Sequence, residues 1–439
     1  MLPDMAPASL LTLLSVFSPL FTAPSFRTFT GLACGFLAQG GKRTVCGMLA
    51  GAGLSRSWPH DRAHWFFARA RWDADALGLA AALLVVSLLV PAGAPVDVAV
   101  DDTLFRRRGK KVWAASWFHD GSATGPAKTG FGNNWVVLGI VVRLPLPSRP
   151  VAVPVMAKLV IKGTNSKSRL WLARWMAERL AAALPGRQVR VVADSAYAGG
   201  EIKDLPAGIS WTTRLRKDAA LHGLPPERTG RPGRPRVKGD RLPSLAKLAA
   251  TAEFSQVTVT RYGKTETIAA AAVTCLWYSV FGTRPVTVVI VRDKPGAGFG
   301  IALVTTDRTA TMEQVIEQYA CRWSIEIAIE DSKQLFGAGQ ARNRTAAAVE
   351  RTVPFELACQ AVAVTWYATA GHDPADLRER RALAPWYTSK AEPATADMAA
   401  KLRRVIIAAR FKASRPDQPT SAELSILRLA WEDAMLLAA

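Results

Sequence analysis

Two valine-rich runs that end in aspartate constrain the fold of this chain more than any other feature. The first is VDVAVDDT, where Val96, Val98 and Val100 lead into Asp101 and Asp102; the second is VRVVADSAY, where Val189, Val191 and Val192 lead into Asp194. Both read as buried strands, because β-branched residues pack well on a pleated surface covered by other elements. A carboxylate at the end of such a strand is costly to bury unless its charge is compensated, and a divalent cation is the usual compensation.

A third acidic group sits in YACRWSIEIAIEDSKQ, which carries Tyr319, Arg322, Glu326 and Lys333. At about 100° per residue, these four fall within one sector of about 60° on a single helix. The carboxylate can ligate a hard divalent cation, the Arg and Lys can neutralise phosphate oxygens, and the Tyr hydroxyl can add a directional hydrogen bond. An ordinary helix face with i, i+4 ion pairs has the same appearance in isolation. The two strand-end acids tip the reading toward a site: three carboxylates from two strands and a helix can hold two Mg²⁺ ions and support an in-line phosphoryl displacement. Alternatives stay open at two positions. Asp101 and Asp102 point to opposite faces of a strand, so only one can lead the site. Glu330 lies one turn beyond Glu326 on the same side of the helix.

These residues, in this order, resemble the DDE transposases of bacterial insertion sequences that carry the YREK signature. The resemblance runs from about Val96 to about Ala413. It includes LVTTD (Leu303 to Asp307) before the signature helix, and PWYTSK followed by ADMAAKLRR after it. It implies an α/β fold with an RNase H-like catalytic domain, and two Mg²⁺ ions per site, for which Mn²⁺ can substitute. It also implies double-stranded DNA as partner, cut at transposon terminal repeats and joined to target DNA by a homodimer on paired ends. The resemblance favours Asp101 over Asp102, because family members often read Asp-Gly-Thr where this chain reads Asp101-Asp102-Thr103, and spacing to Arg322 and Lys333 favours Glu326 over Glu330. Catalysis and metal ligation then fall to Asp101, Asp194 and Glu326, with Asp102 as the alternate. Tyr319, Arg322 and Lys333 position the phosphates. Two other readings are a nuclease of the same fold that does not join strands, and a catalytically silent DNA-binding protein of transposon origin; the intact carboxylates argue against the second.

Charge agrees with a nucleic-acid partner. The formal net charge is +21 and the pI ≈ 10.2, an excess that attracts polyanions through counterion release. A membrane surface would attract it too. However, the apolar run from Leu77 to Val90 is too short to span and ends in Pro91-Ala92-Gly93, and the apolar stretch from Ser9 to Phe21 has Asp4 and no basic residue ahead of it. Neither a membrane span nor an export signal is expected. Arg106, Arg107, Arg108, Lys110 and Lys111 follow the first aspartates and are expected to track the DNA backbone. A second cluster, ERTGRPGRPRVKGDR, carries Arg228, Arg231, Arg234, Arg236, Lys238 and Arg241. Its Gly-Arg-Pro triplets suit a minor-groove arm, but a loop gripping phosphates without reading sequence is the preferred reading. The five cysteines are odd in number and widely spaced, with no zinc pattern, and none of His60, His64, His119, His222 and His372 pairs with a cysteine at ligand spacing. A reducing cytoplasm, at the nucleoid, is the expected location.

The chain is expected to divide into five segments. Residues 1–92 read as a helical region that either binds DNA ends or packs as a bundle, and residues 93–200 as the first part of the catalytic domain. That part should contain strands at Val96 to Asp102, Lys111 to Phe118, Trp135 to Leu144 and Gln188 to Asp194, with a helix at Arg169 to Leu184. Residues 201–306 read as a β-rich insertion with the basic loop, 307–372 as the second catalytic part, and 373–439 as a helical region whose cations, Lys401 to Arg415, suit a DNA or subunit contact.

Overall fold

The computed structural model describes residues 6–413 except 122, 124–125, 147, 164–165, 228–233, 293–298, 387 and 389, together with 420–422 and 424–425. Five helices precede the first strand: α1 (Ala8–Ser15), α2 (Ala23–Ala38), α3 (Val45–Gly51), α4 (His60–Ala68) and α5 (Ala74–Leu89). Side-chain caps set three of their starts. Thr22, Thr44 and Asp73 accept the backbone N–H of Ser25, Gly47 and Ala76, satisfying donors that a first turn leaves orphaned. α5 is the expected buried apolar helix, and among the described residues no helix is long and apolar enough to cross a membrane.

A ten-stranded sheet follows. β1 (Val96–Arg106) pairs antiparallel with β3 (Thr129–Val142), which also carries β2 (Ser116–His119) and β4 (Val151–Leu159). After α6 (Arg169–Ala183) the chain returns as β5 (Val189–Ala193), parallel to β1, and then β6 (Ile209–Arg214), parallel to β5. The order β4-β3-β1-β5-β6, an antiparallel meander continued by two parallel strands, is the RNase H-like arrangement expected from the sequence. Local details differ. The expected strand at Lys111 to Phe118 begins only at Ser116, because Ala114 takes a positive φ of 54° and the Trp113 N–H is drawn to the Arg344 carbonyl. Strand β4 escaped the sequence reading, since Pro154 in its middle argues against an interior strand; here it sits at a register shift opposite Leu138 and Gly139.

Beyond β6, the chain forms α7 (Leu245–Thr251), β7 (Ser255–Arg261), β8 (Lys264–Cys275), α8 (Tyr278–Phe281), β9 (Val286–Arg292) and β10 (Ile301–Thr305). These strands extend the same sheet antiparallel in the order β6-β10-β9-β8-β7. The β7–β8 hairpin turns on Tyr262 and Gly263, both at positive φ (55° and 78°), as a two-residue hairpin turn of the I′ kind requires. Beyond β10 the described residues include α9 (Met312–Cys321), α10 (Trp323–Gln334), α11 (Ala346–Trp366), α12 (Asp376–Leu383) and α13 (Thr395–Ala413).

Each face of β1 has its own core. Val96, Val98, Val100 and Leu104 pack with the N-terminal helices and α6, whereas Ala99 and Phe105 pack with Ile325, Ala328 and Ile329 of α10 and with Val349 and Val353 of α11. Two of the cations on α13 face the rest of the fold. Arg403 is buried, and Arg410 donates to the Gly51 carbonyl at 2.7 Å, which ties α13 to α3. The side chains of Lys412 and Arg415 lie outside those described.

Within α11, Glu356 is fully buried and accepts the Gly339 N–H at 2.8 Å, with Arg107 and Arg43 nearby. Burial pushes its carboxyl up to about 8, against the pull of the Gly339 N–H and the two arginines. A carboxyl whose pKa is raised in the folded state stabilises fully below its ordinary value of 4.5, and that contribution is lost as pH rises through about 8. Glu356→Gln removes this titration. Between pH 5 and pH 9 the melting temperature of the parent is therefore expected to fall relative to the variant by several degrees; parallel melting curves would contradict a protonated Glu356.

Candidate active site

The register of β1 and β5 decides where the aspartates go. Val100 pairs with Ala193 in the parallel ladder, so the next residues, Asp101 and Asp194, lie side by side; β5 ends at Ala193, but β1 continues to Arg106, which corrects the expectation that Asp101 ends its strand. Alternation puts Asp101 on the Ala99 and Phe105 face, beneath α10, and Asp102 on the opposite face. Asp102 is committed there: it accepts Asn134 Nδ2 at 2.9 Å and the Tyr197 hydroxyl at 3.2 Å, and pairs with Arg169 Nε at 3.1 Å. Asp101 accepts only the Asp102 N–H at 2.8 Å and faces Arg322 Nη1 at 3.8 Å. Asp194 is held by the Ala196 N–H on its Oδ1 (2.8 Å) and the Thr213 hydroxyl on its carbonyl (2.6 Å).

The signature segment is not one helix, contrary to the sequence expectation. α9 starts in a capping box between Thr311 and Gln314 and ends at Cys321, and α10 begins at Trp323. Between them the Arg322 N–H reaches the Tyr319 carbonyl at 3.1 Å, a tightened turn, while the Ser324 hydroxyl donates to the Cys321 carbonyl at 2.6 Å. Back-bonding of this kind bends helices. Tyr319 therefore stands near the end of α9 and Glu326 and Lys333 on α10, with Arg322, itself at helical φ −53° and ψ −37°, at the join.

The join places Arg322 between two acids. Its Nη1 lies 2.6 Å from Glu326 Oε1 and 3.8 Å from Asp101 Oδ2, and its guanidinium carbon is 5.9 Å from the Tyr319 ring centre. Glu330 is exposed and accepts the Gln334 amide at 2.7 Å, so it turns away. Lys333 lies farther along α10, its Nζ 5.5 Å from the Phe105 ring. Burial lowers its pKa, with Asp120 opposing and Arg106 assisting. α10 can lie this close to the sheet because β3 carries Gly139: a Cβ there would come within 2.7 Å of Ile325 Cδ1.

The electrostatics of the cluster follow from partial burial of like charges. Burial pushes the Asp101 carboxyl up to about 7; the Asp102 N–H and Arg322 pull it down, while Asp102 and Asp194 reinforce the rise. Burial also raises Tyr319, opposed by Arg322 and Arg214. For Arg322 burial works the other way, yet Glu326 and the other acids carry it above its ordinary value. The carboxylate oxygens of Asp101, Asp194 and Glu326 do not all lie within 4.8 Å of one another. Hard oxygen donors converging on one face, with a positive charge between two of them, fit the demand of a divalent cation.

Several of these groups escaped the sequence reading. Arg169, Asn134 and Tyr197 hold Asp102, and Arg214, at the end of β6, bears on Tyr319; the polar pair Asn133-Asn134 inside an apolar strand was the one available signal. The basic run needs a correction. Arg107 donates to Asn133 Oδ1 and to the carbonyls of Gly339 and Ala341 at 2.7–2.9 Å, so its guanidinium ties β1 to the segment after α10 and is spent. Arg106 pairs with the buried Asp120 at 2.8 Å but remains largely exposed, and Arg108, Lys110 and Lys111 are exposed. In the second cluster Arg228 and Arg231 lie outside the described residues. Arg234 is exposed, Arg236 pairs with Asp240 at 2.7 Å, Lys238 contacts His222 at 3.2 Å, and Arg241 bridges to His222 through the backbone. The histidine expectation is also corrected: Cys46, His60 and His64 are the one group of three potential metal ligands within 4.8 Å of one another among the described residues. Fourteen residues separate the thiol from the first imidazole, a spacing that only the packing of α3 on α4 closes.

A sequence profile of the family described as DDE superfamily endonuclease matches residues 16–278. The matched span contains β1 and β5 with Asp101 and Asp194, and it ends before α9 and α10. No curated protein matches the sequence. Among solved structures, the chain is similar to a piggyBac transposase in a synaptic complex with hairpin DNA, at 10% identity and a TM-score of 0.39, covering 93% of this chain and 76% of that one.

Proposed function

Because the chain belongs to the DDE superfamily endonucleases, we propose that it is a transposase of the insertion-sequence type with a YREK signature, cutting double-stranded DNA at transposon ends and joining those ends to target DNA. The observation that carries this reading is the placement of Asp101 and Asp194 on adjacent parallel strands, under a helix that brings Glu326 and Arg322 to the same face. Endonucleases of this superfamily use divalent metal ions. Here Asp101, Asp194 and Glu326 would hold them, Mg²⁺ being the ion proposed and Mn²⁺ its substitute. Bound there, the cations would favour deprotonation of a water or 3′-hydroxyl and neutralise charge on the phosphoryl oxygens.

The residues of the chain do the positioning. Arg322 donates to Glu326 and, with cations bound, is free to turn a second N–H toward a phosphate oxygen. Tyr319 and Arg214 offer a hydroxyl and a cation beside Asp194 for the phosphates flanking the cut. Asp102 acts indirectly: with Arg169, Asn134 and Tyr197 it fixes the middle of β1 so that Asp101 faces α10. Arg106, Arg108, Lys110, Lys111 and Lys333 form a basic border toward the far end of β1, suited to the backbone of the same duplex. Paired ends imply two copies of the chain acting together.

The test is a cleavage assay with the DNA that flanks the chain's own gene. Ends cut in Mg²⁺ and untouched in EDTA support the endonuclease, and products longer than the substrate, formed by joining to a second duplex, support the transposase. Cutting without joining would reduce the reading to a hydrolytic nuclease, and no cutting on any duplex would overturn it. The loop allows a separate check. Arg234→Ala with Arg236→Ala is expected to flatten the salt dependence of DNA binding by about one unit of log slope per lost phosphate contact, equally on terminal and random DNA. A loss confined to A·T-rich ends would instead indicate minor-groove reading.

A further inference from the structure

We propose that Cys46, His60 and His64 form a zinc site that joins α3 to α4, with a water completing a tetrahedron. The thiol lies on α3, and the two imidazoles lie one turn apart on α4. Cys46 Sγ is 3.3 Å from His60 Nε2 and 3.7 Å from His64 Nε2. Bonds of about 2.3 Å to sulfur and about 2.0–2.1 Å to nitrogen, set at a tetrahedral angle, separate S from N by about 3.6 Å. The two observed distances bracket that value, and the imidazole centres are 4.5 Å apart, so one ion can reach all three atoms with little motion. The Nδ1 of His60 lies 3.3 Å from Asp61 Oδ1. A carboxylate behind the distal nitrogen holds an imidazole with its Nε2 free to ligate, the usual support of a zinc-bound histidine.

The donor set selects the metal class. A thiolate with two imidazoles suits a borderline-soft cation such as Zn²⁺ and is a poor match for Mg²⁺, so this site and the carboxylate site take different ions. The fold gives the ion something to do. α3 has 7 residues and α4 has 9, lengths at which isolated helices are not stable in water. The chain just before α3 touches the segment after α10, where the Arg43 N–H donates to Gln340 Oε1 at 2.8 Å. Zinc at Cys46 therefore anchors the start of a helix whose leading loop, through Arg43, contacts the segment after α10.

Cys46 is the one exposed cysteine of the five, which makes the thiol easy to follow. The full-length protein, stripped with a chelator, is titrated with Co²⁺ and then with Zn²⁺. One equivalent of Co²⁺ is expected to give a thiolate-to-cobalt charge-transfer band with the intense visible absorption of tetrahedral cobalt, and Zn²⁺ is expected to displace both. Cys46→Ala should abolish the charge-transfer band. His60→Asn and His64→Asn should each weaken binding at least tenfold, and Asp194→Ala should leave the spectrum unchanged. Circular dichroism and melting of each variant distinguish a lost ligand from a lost fold; were Cys46→Ala unfolded, the two histidine variants would carry the test. Absence of a thiolate band in the folded parent, or its persistence in Cys46→Ala, would overturn the site.

Discussion

Asp101→Asn, Asp194→Asn and Glu326→Gln are each expected to lower metal-dependent cleavage by on the order of 10³-fold while leaving DNA binding close to the parent; the two aspartate variants should melt near the parent, and Glu326→Gln, which loses its pair with Arg322, a few degrees lower. Each change removes a charged oxygen donor for the cations but keeps the shape of the side chain and the basic surface that attracts DNA. Asp102→Asn should behave in the opposite sense. Asp102 faces away from α10 and pairs with Arg169, so its loss should lower stability by about 1 kcal/mol for a partly exposed ion pair and leave cutting measurable. Cleavage assays and thermal melts of the four proteins check this together. Normal cutting by any of the first three, or a dead but fully stable Asp102→Asn, would move the ligand assignment.

Arg322→Ala is the second large effect, and its signature is dependence on metal. In the free protein Arg322 is the cation between Glu326 at 2.6 Å and Asp101 at 3.8 Å. Removing it leaves two half-buried carboxylates facing one another, a loss of about 1–3 kcal/mol for a pair at this depth. A divalent cation restores positive charge at the same place. The gap in melting temperature between parent and variant should therefore be several degrees in EDTA and shrink in Mg²⁺, whereas cleavage in Mg²⁺ should fall by about 10²-fold because the scissile phosphate loses a positioning donor. A gap that is the same with and without Mg²⁺ would mean that Arg322 and the cations do not share a site.

The sheet and its acids were legible because they rest on local chemistry. Valine runs leading into Asp101 and Asp194 mark buried strands, and the run from Leu77 to Val90 marks a buried helix, whatever lies around them; that β1 continues past Asp101 to Arg106 was not legible. What stayed hidden depends on partners distant in sequence or on single hydrogen bonds. Periodicity puts Tyr319 and Glu326 on one helix, and only the Ser324 hydroxyl on the Cys321 carbonyl marks where α9 gives way to α10. Strand alternation separates Asp101 from Asp102, but which face α10 covers is a tertiary fact. Arg107 reads as a free cation in a basic run until Gly339 and Ala341 supply its acceptors. Pro154 disguised β4 because a bulge opposite Gly139 removes the need for its missing N–H.

The central claim is that Asp101, Asp194 and Glu326 hold divalent cations on the face beneath α10. Crystals of the full-length protein grown with Mn²⁺, with diffraction recorded at the manganese edge, test it most directly. The expected result is an anomalous peak within bonding distance of Asp101 and Asp194 carboxylate oxygens, with Arg322 moved away from Asp101 and the peak absent in Asp194→Asn. A map in which Mn²⁺ binds elsewhere, while Arg322 keeps its place between Asp101 and Glu326, would contradict the account.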